Sequence, residues 1–145
     1  MLYAAYGSNI NTKEMAKRCP NSKVYSYGWI KDYYLVSRTY LDIDKNPVTE
    51  KDDFLNATIV PVLLWDIAES DWKNLDYYEG YPTLYKKETV KVVDKPHGHS
   101  LVDAIIYTMV DKSESRPCMP DYQKRVREGY KEFGFNQQFL DDVFC

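Results

Sequence analysis

The order of the predicted strands constrains the fold of this chain more than any other feature. Short runs rich in β-branched and aromatic residues follow one another, mostly without a helix between them. Parallel neighbours need a long crossover connection, usually a helix, whereas antiparallel neighbours can be joined by short turns. We therefore expect a mostly antiparallel or mixed sheet that can close into a small barrel. The predicted strands cover residues 2–5, 24–27, 33–36, 57–60, 62–67, 85–93 and 101–109.

Helical patterns occupy the remaining periodic segments. We predict helices over residues 12–18, over residues 69–78, from Pro120 to Phe133, and in a last short segment after Asn136. Gly80 and Gly134 stand where helices commonly end. The predicted fold class is α+β: a small, mixed, mostly antiparallel barrel-like sheet with two to four flanking helices, forming one domain over residues 1–145.

Two segments break the regular pattern. Pro61 separates the runs 57–60 and 62–67, because proline cannot donate to a sheet, and it therefore predicts a turn or an edge position. Residues 42–53 are polar and predict an exposed loop. Such a loop can close over a site as a lid, but an ordinary surface loop is the favoured interpretation.

Composition excludes several classes of protein. Of 145 residues, 44% are hydrophobic and 28% are charged, as in ordinary globular domains. The net charge of −3 does not indicate a nucleic-acid or anionic-membrane partner, and no apolar run approaches the ~20 residues of a spanning helix. Three widely spaced cysteines indicate free thiols, and the N-terminus lacks a basic signal-peptide region. We therefore expect a cytoplasmic protein.

No cofactor motif is present in the sequence. It has no phosphate-binding loop and no glycine-rich dinucleotide-binding motif. It also lacks the cysteine and histidine spacing of a zinc site and the Gly-x-Ser-x-Gly motif of a nucleophile elbow. Both histidines, His97 and His99, fall in one predicted turn with no further histidine or cysteine nearby. We expect a solvated turn there, no metal site and no cofactor.

The central stretch from Leu75 to Tyr85 places one carboxylate among tyrosines, which number 14 in the chain. Glu79 falls at the predicted end of a helix, next to Gly80. Burial among rings and the negative end of the helix dipole would both raise the pKa of this carboxyl. The stretch alone favours a solvated helix end over a functional acid.

A second candidate region is the turn Tyr6, Gly7, Ser8 and Asn9, between the first strand and the first helix. Several backbone N–H groups in such a turn can converge on an anion or a carboxylate. Taken alone, an ordinary turn is the more common outcome. Together with Glu79, it suits proton transfer by a lone carboxylic acid acting on a substrate held by backbone donors.

These residues resemble the γ-glutamylcyclotransferase-like proteins, which include plant AIG2-like proteins and γ-glutamylamine cyclotransferases. The resemblance extends over nearly the whole chain and depends on three blocks in the same order and spacing. They are Tyr6-Gly7-Ser8-Asn9, then Leu75-Asp76-x-x-Glu79-Gly80-Tyr81-Pro82 with Tyr85, then Tyr107-Thr108-Met109 with Pro120-x-Tyr122 and Gly129. The region 24–53 matches only loosely.

The resemblance implies a cofactor-independent enzyme that cyclises a small-molecule γ-glutamyl substrate to 5-oxoproline and releases an amine or amino acid. It implies Glu79 as the catalytic acid and base. It further implies that substrate is bound by Tyr6, Gly7, Ser8, Asn9, Tyr85 and Tyr122.

Two other functions stay open at this stage. The chain could be a non-catalytic binding or interaction protein that keeps the fold and pocket. It could also be a related γ-glutamyl acyltransferase or hydrolase, in which an external amine or water attacks the γ-carbonyl. The sequence leaves open the amine that is released and whether the protein is a monomer or a homodimer.

Overall fold

The computed structural model describes residues 1–47 and 58–144. Within these ranges it contains seven strands and four α-helices. The strands are β1 (Leu2–Ala5), β2 (Lys23–Lys31), β3 (Tyr33–Arg38), β4 (Tyr40–Lys45), β5 (Ile59–Asp66), β6 (Tyr85–Asp94) and β7 (Ser100–Met109). The helices are α1 (Thr12–Arg18), α2 (Trp72–Glu79), α3 (Pro120–Phe133) and α4 (Gln138–Phe144).

Five strands form a closed barrel in the order β1-β5-β2-β6-β7. Four of the five strand pairs are antiparallel, and the barrel closes through a parallel contact between β1 and β7, with Tyr3 opposite Ile105. Strands β6 and β7, which correspond to the predicted strands 85–93 and 101–109, pair as an antiparallel hairpin with Tyr85 opposite Met109. The structure confirms the predicted α+β fold with a mixed, mostly antiparallel barrel.

Strands β3 and β4 form a separate two-stranded sheet, and they correct the prediction of a loop over residues 42–53. Residues 42–45 belong to β4, and Asp42 is fully buried rather than exposed. Its charge is tolerated because Arg38 and Lys112 both contact the carboxylate. Residues 48–53, and with them the lid hypothesis, lie outside the described residues.

Of the two alternatives predicted for Pro61, the turn is wrong, because β5 runs through this residue without interruption. Pro61 is paired with Trp29 of β2, whereas the pairing of β5 with β1 ends at Leu63. At Pro61 the strand therefore has one neighbour in the barrel. This is the edge-like position in which the missing N–H of a proline is tolerated.

The helix boundaries follow the predicted signals closely. The Asn11 side chain accepts hydrogen bonds from the N–H groups of Lys13 and Glu14 and caps α1. Residues Glu69–Asp71 form a 3₁₀ turn, so α2 begins three residues later than predicted. Gly80 ends α2 in the left-handed conformation with φ of 70°, a conformation that favours glycine.

Helix α3 packs against the turn that follows β1. A Cβ atom at Gly129 would lie 2.9 Å from the backbone nitrogen of Asn11, which is closer than real Cβ atoms approach. The absence of a side chain at this position therefore lets the helix press directly on the turn and fix its position. Within residues 1–47 and 58–144, no helix combines the length and the apolar character needed to cross a membrane.

Candidate active site

One cavity of about 130 Å³ brings together segments that are distant in the sequence. All seven side chains or backbone positions predicted as site residues line it: Glu79, Tyr6, Gly7, Ser8, Asn9, Tyr85 and Tyr122. The two candidate regions of the sequence, the turn after β1 and the end of α2, therefore face the same space. Their shared position is what the chemical hypothesis requires of the fold.

Glu79 is the last residue of α2 and is half-buried at the cavity. Its Oε1 accepts a hydrogen bond of 3.0 Å from Nδ2 of Asn9. Burial raises the pKa of the Glu79 carboxyl to about 7, while the charge of Arg18 and a hydrogen bond from Tyr3 act in the opposite direction. The carboxyl can therefore both lose and gain a proton near neutral pH.

Asn9 connects Glu79 to the end of α1. Its Oδ1 accepts a hydrogen bond of 2.9 Å from Arg18, so its Nδ2 group is left to donate to Glu79 and to the Tyr3 hydroxyl at 3.0 Å each. The Arg18 guanidinium also lies 3.4 Å from the centre of the Tyr78 ring. This arrangement fixes the amide orientation, because the reverse orientation would place an NH₂ group against the guanidinium.

The turn after β1 is a short 3₁₀ segment, Ser8–Ile10. Within it, Ile10 and Asn11 donate backbone hydrogen bonds of 3.1 Å to the carbonyls of Gly7 and Ser8. The first N–H groups of a helical turn have no partner inside the turn, so those of Gly7, Ser8 and Asn9 are the groups available to a ligand. The indole of Trp65 donates to the Asn9 carbonyl at 2.9 Å and anchors the turn to the barrel.

The predicted tyrosines are fixed by hydrogen bonds to the backbone. The Tyr85 hydroxyl donates to the Leu41 carbonyl at 2.9 Å, and the Leu41 N–H donates to the Tyr122 hydroxyl at 3.0 Å. The Tyr6 hydroxyl donates to the Tyr107 carbonyl. Burial raises the pKa of all three predicted tyrosines, so they stay neutral. Because Tyr122 accepts from Leu41, its own hydroxyl hydrogen is left to donate elsewhere.

The absence of a side chain at Gly7 favours this packing. A Cβ atom at this position would meet the Tyr122 hydroxyl oxygen at 3.0 Å. The missing side chain therefore allows the tyrosine to approach the backbone of the turn and to bound the cavity.

Sequence reasoning missed several residues of the site. The cavity is also lined by Tyr3, Tyr40, Leu41, Tyr78, Leu84 and Tyr107. Arg18 was also missed, because a basic residue in the last turn of a helix looks like an ordinary partner of the helix dipole. Tyr77 and Tyr78 could not be separated by sequence. Only Tyr78 lines the cavity, and Tyr77 is 89% exposed.

The histidine turn lies apart from this cavity. His97 and His99 are exposed, and Nδ1 of His97 lies 2.9 Å from the buried carboxylate of Asp94. No group of three histidine, cysteine, aspartate or glutamate residues in the described ranges is arranged to hold a metal ion.

The family comparison covers more than half of the chain. The model of the AIG2-like family matches residues 59–143, which include Glu79, Tyr85 and Tyr122. This chain belongs to the AIG2-like family. No curated protein sequence shows a significant match to it.

Solved structures similar to this AIG2-like chain share its fold. A structure described as a gamma-glutamyl cyclotransferase is 24% identical, with 98% of this chain and 85% of the other covered and a TM-score of 0.80. An uncharacterized protein from Homo sapiens is also 24% identical, with 97% and 84% covered and a TM-score of 0.79. An AIG2-like protein from Mus musculus is 16% identical, with 83% and 80% covered and a TM-score of 0.60.

Proposed function

We propose that this protein is a γ-glutamyl cyclotransferase, which converts a γ-glutamyl amine or amino acid to 5-oxoproline and the free amine. The observation that carries this proposal is the position of Glu79. Its carboxyl, with a pKa of about 7, shares one small cavity with the turn Gly7, Ser8 and Asn9. The similarity to a structure described as a gamma-glutamyl cyclotransferase supports the same reaction class.

The first step is the removal of a proton from the substrate. The α-amine of a γ-glutamyl compound is protonated near neutral pH and cannot attack in that form. Ionised Glu79 accepts one of its protons and releases the nitrogen lone pair. A carboxyl with a pKa near the working pH suits this role, because a useful fraction is ionised and the proton is not lost irreversibly.

The second step closes the ring. The freed amine attacks the γ-carbonyl carbon, a C–N bond forms, and the carbonyl oxygen becomes an oxyanion. Backbone N–H groups of Gly7, Ser8 and Asn9 stabilise the negative charge on this oxygen. The nucleophile is tethered to its target, so the protein mainly has to hold the substrate in the folded conformation.

The third step expels the amine. The oxyanion re-forms the carbonyl, the bond to the leaving nitrogen breaks, and protonated Glu79 donates its proton to that nitrogen. The proton taken from the α-amine thus goes to the leaving group. The ring nitrogen still carries one proton too many, and the Glu79 carboxylate, regenerated by this transfer, removes it and leaves 5-oxoproline with a neutral amide. The released amine takes up this second proton and departs as an ammonium ion. Tyr6, Tyr85 and Tyr122, all neutral and held by backbone contacts, bound the space in which the chain folds back.

A product assay tests the proposal. Purified protein is incubated with a panel of γ-glutamyl amines and γ-glutamyl amino acids, and 5-oxoproline and free glutamate are both measured. We expect 5-oxoproline and the amine in equal amounts, with no free glutamate. Free glutamate would replace the proposal with a hydrolase. Ligand binding without any turnover across the panel would replace it with a binding protein.

A further inference from the structure

Exposure divides the residues of the cavity into two groups. The interior is polar and buried, and includes Asn9, Tyr85 and Tyr122. Three large apolar side chains also line the cavity but remain well exposed: Tyr40 at 43%, Tyr78 at 38% and Leu84 at 44%. A residue that both lines a cavity and faces solvent lies at its mouth. We call these three residues the aromatic rim.

The rim is assembled from three separate parts of the chain. Tyr40 begins β4, Tyr78 lies in the last turn of α2, and Leu84 immediately precedes β6. Tyr40 packs edge-on against Tyr122, with ring centres 5.3 Å apart, and the Tyr78 ring is covered by Arg18 on one face. Both rings are therefore held in place, which lowers the entropic cost of binding a ligand against them.

The charges of the cavity favour an apolar occupant at this mouth. Glu79 is the one acidic or basic side chain among the described residues that line it. Arg18, the cation whose charge acts on Glu79, does not line the cavity and already contacts Asn9, Glu14 and Tyr78. The rim therefore offers rings and an aliphatic chain, with no lysine, arginine or histidine to bind a carboxylate.

The size of the cavity places the leaving group at the rim. At about 130 Å³ the cavity is smaller than the roughly 300–1,000 Å³ of common ligand pockets, so a γ-glutamyl unit would take up most of it. Under the proposed function this unit must fold back on itself between Glu79 and the turn. The amine that leaves is attached on the other side of the γ-carbonyl and extends outward.

We propose that the aromatic rim is a leaving-group subsite that selects an aromatic amine substituent, which packs against Tyr40, Tyr78 and Leu84. This inference rests on the proposed cyclotransferase function and goes further, because it names the chemical class of the leaving group. Aromatic groups gain from both area burial and ring-to-ring contact, and small aliphatic groups gain much less.

Two uncharged leaving groups provide the test. The kcat/KM for 5-oxoproline formation is measured with γ-glutamyl-benzylamide and with γ-glutamyl-ethylamide, in which a phenyl ring and a methyl group occupy the same position on the N–CH2 carbon. We expect the benzyl compound to be preferred by about tenfold or more, the discrimination typical of an apolar pocket. In Leu84→Ser and Tyr40→Ser, the ratio of the two kcat/KM values should fall towards one.

Tyr77→Ser is the matched control. Tyr77 precedes Tyr78 on the same helix, is 89% exposed and does not line the cavity, so its substitution should leave the benzyl-to-ethyl ratio unchanged. Equal kcat/KM values for the two compounds in the wild type would overturn the subsite, and so would an unchanged ratio in both rim variants.

The test separates failure of the subsite from failure of the proposed function. If neither compound yields 5-oxoproline, the cyclotransferase proposal fails, and calorimetric dissociation constants of the same compounds decide the subsite. A tenfold tighter binding of the benzyl compound, lost in Leu84→Ser but kept in Tyr77→Ser, would support the rim as an aromatic-binding site. Equal dissociation constants would overturn it.

Discussion

Glu79 and Asp42 are both carboxylates in the protein interior, and their neighbours differ in charge. Asp42 is fully buried, and its Oδ2 contacts Arg38 at 2.6 Å and Lys112 at 2.8 Å. Its Oδ1 accepts a hydrogen bond from the Met109 N–H at 2.9 Å. Glu79 instead accepts a hydrogen bond from the neutral amide of Asn9, and no ion pair within 4.0 Å joins it to another described residue.

The difference separates a structural carboxylate from one that can exchange protons. Two cations and a backbone donor contact the Asp42 carboxylate, and the network ties β4 to the end of β7. The same Arg38 and Lys112 lower the pKa of neighbouring Asp44. At Glu79, burial is not offset by a contacting cation, so the pKa rises to about 7. The charge of the partners thus decides which chemistry each carboxylate can perform.

Removal of the Asp42 carboxylate should have the largest effect on stability. In Asp42→Ala, Arg38 and Lys112 lose a buried partner, and we expect the free energy of unfolding to fall by about 3–5 kcal/mol. Asp103→Ala is the matched control, because Asp103 pairs with Lys91 at 2.7 Å on the exposed surface and should cost about 0–1 kcal/mol. Urea denaturation measures both, and similar losses would contradict the assigned difference.

The pH dependence of stability should report on Glu79. Its pKa in the folded protein, about 7, lies above the ordinary value of 4.5, so the folded state holds this proton more tightly than the unfolded chain. The contribution to stability is therefore complete below about pH 4.5 and is lost as the pH rises to about 7. At about 1.4 kcal/mol per pKa unit, the loss is about 3 kcal/mol.

Glu79→Gln provides the reference for this measurement, because glutamine does not titrate. The free energy of unfolding, measured from pH 4.5 to 7.5, should fall for the wild type relative to the variant. Parallel curves for the two proteins would show that the pKa of Glu79 is not raised by folding.

The same Glu79→Gln variant should lose turnover by about 10²-fold or more, the usual contribution of a general acid and base. Glutamine has the same shape and can still accept the hydrogen bond from Asn9, so the fold should be unaffected at neutral pH. Glu69→Gln, an exposed site in the turn before the same helix, is the control. Near-normal 5-oxoproline formation by Glu79→Gln would remove this residue from the mechanism.

Of the four predictions, the one for Arg18 has the smallest expected effect. The charge of Arg18 lowers the pKa of Glu79 without an ion pair between the two side chains. In Arg18→Met the charge that lowers the pKa of Glu79 is lost. The acidic limb of the pH profile of kcat/KM should therefore move to higher pH. At pH 7 we expect kcat/KM to fall by less than about tenfold. Arg18→Lys should restore the position of the limb by keeping the charge. Lys17→Met, on the same helix and 77% exposed, should leave the profile unchanged.

Much of the fold could be predicted from local patterns. The hairpin of β6 and β7, the start of α3 at Pro120 and the end of α2 at Gly80 follow from strand alternation and from the fixed backbone preferences of proline and glycine. The order of strands without crossover helices also predicted a mostly antiparallel or mixed sheet that can close into a small barrel. These features depend on residues that are neighbours in the sequence, so the sequence of this one protein is sufficient to predict them.

Other features depended on partners that are distant in the sequence. Asp42 looked like part of a polar loop, because Lys112, which helps to bury it, stands 70 positions away. Tyr77 and Tyr78 are identical in type and adjacent, and only the helix orientation shows which of them faces the cavity.

The sequence by itself determined the local elements, the blocks around Asn9 and Glu79, and through those blocks the family resemblance. The tertiary structure decided that these two blocks meet, at 3.0 Å between Asn9 and Glu79, although they lie 70 residues apart. It also decided the pKa of Glu79, since desolvation depends on every group packed around a carboxyl and not on its neighbours along the chain. The aromatic rim arises in the same way, from three segments that only barrel closure brings together.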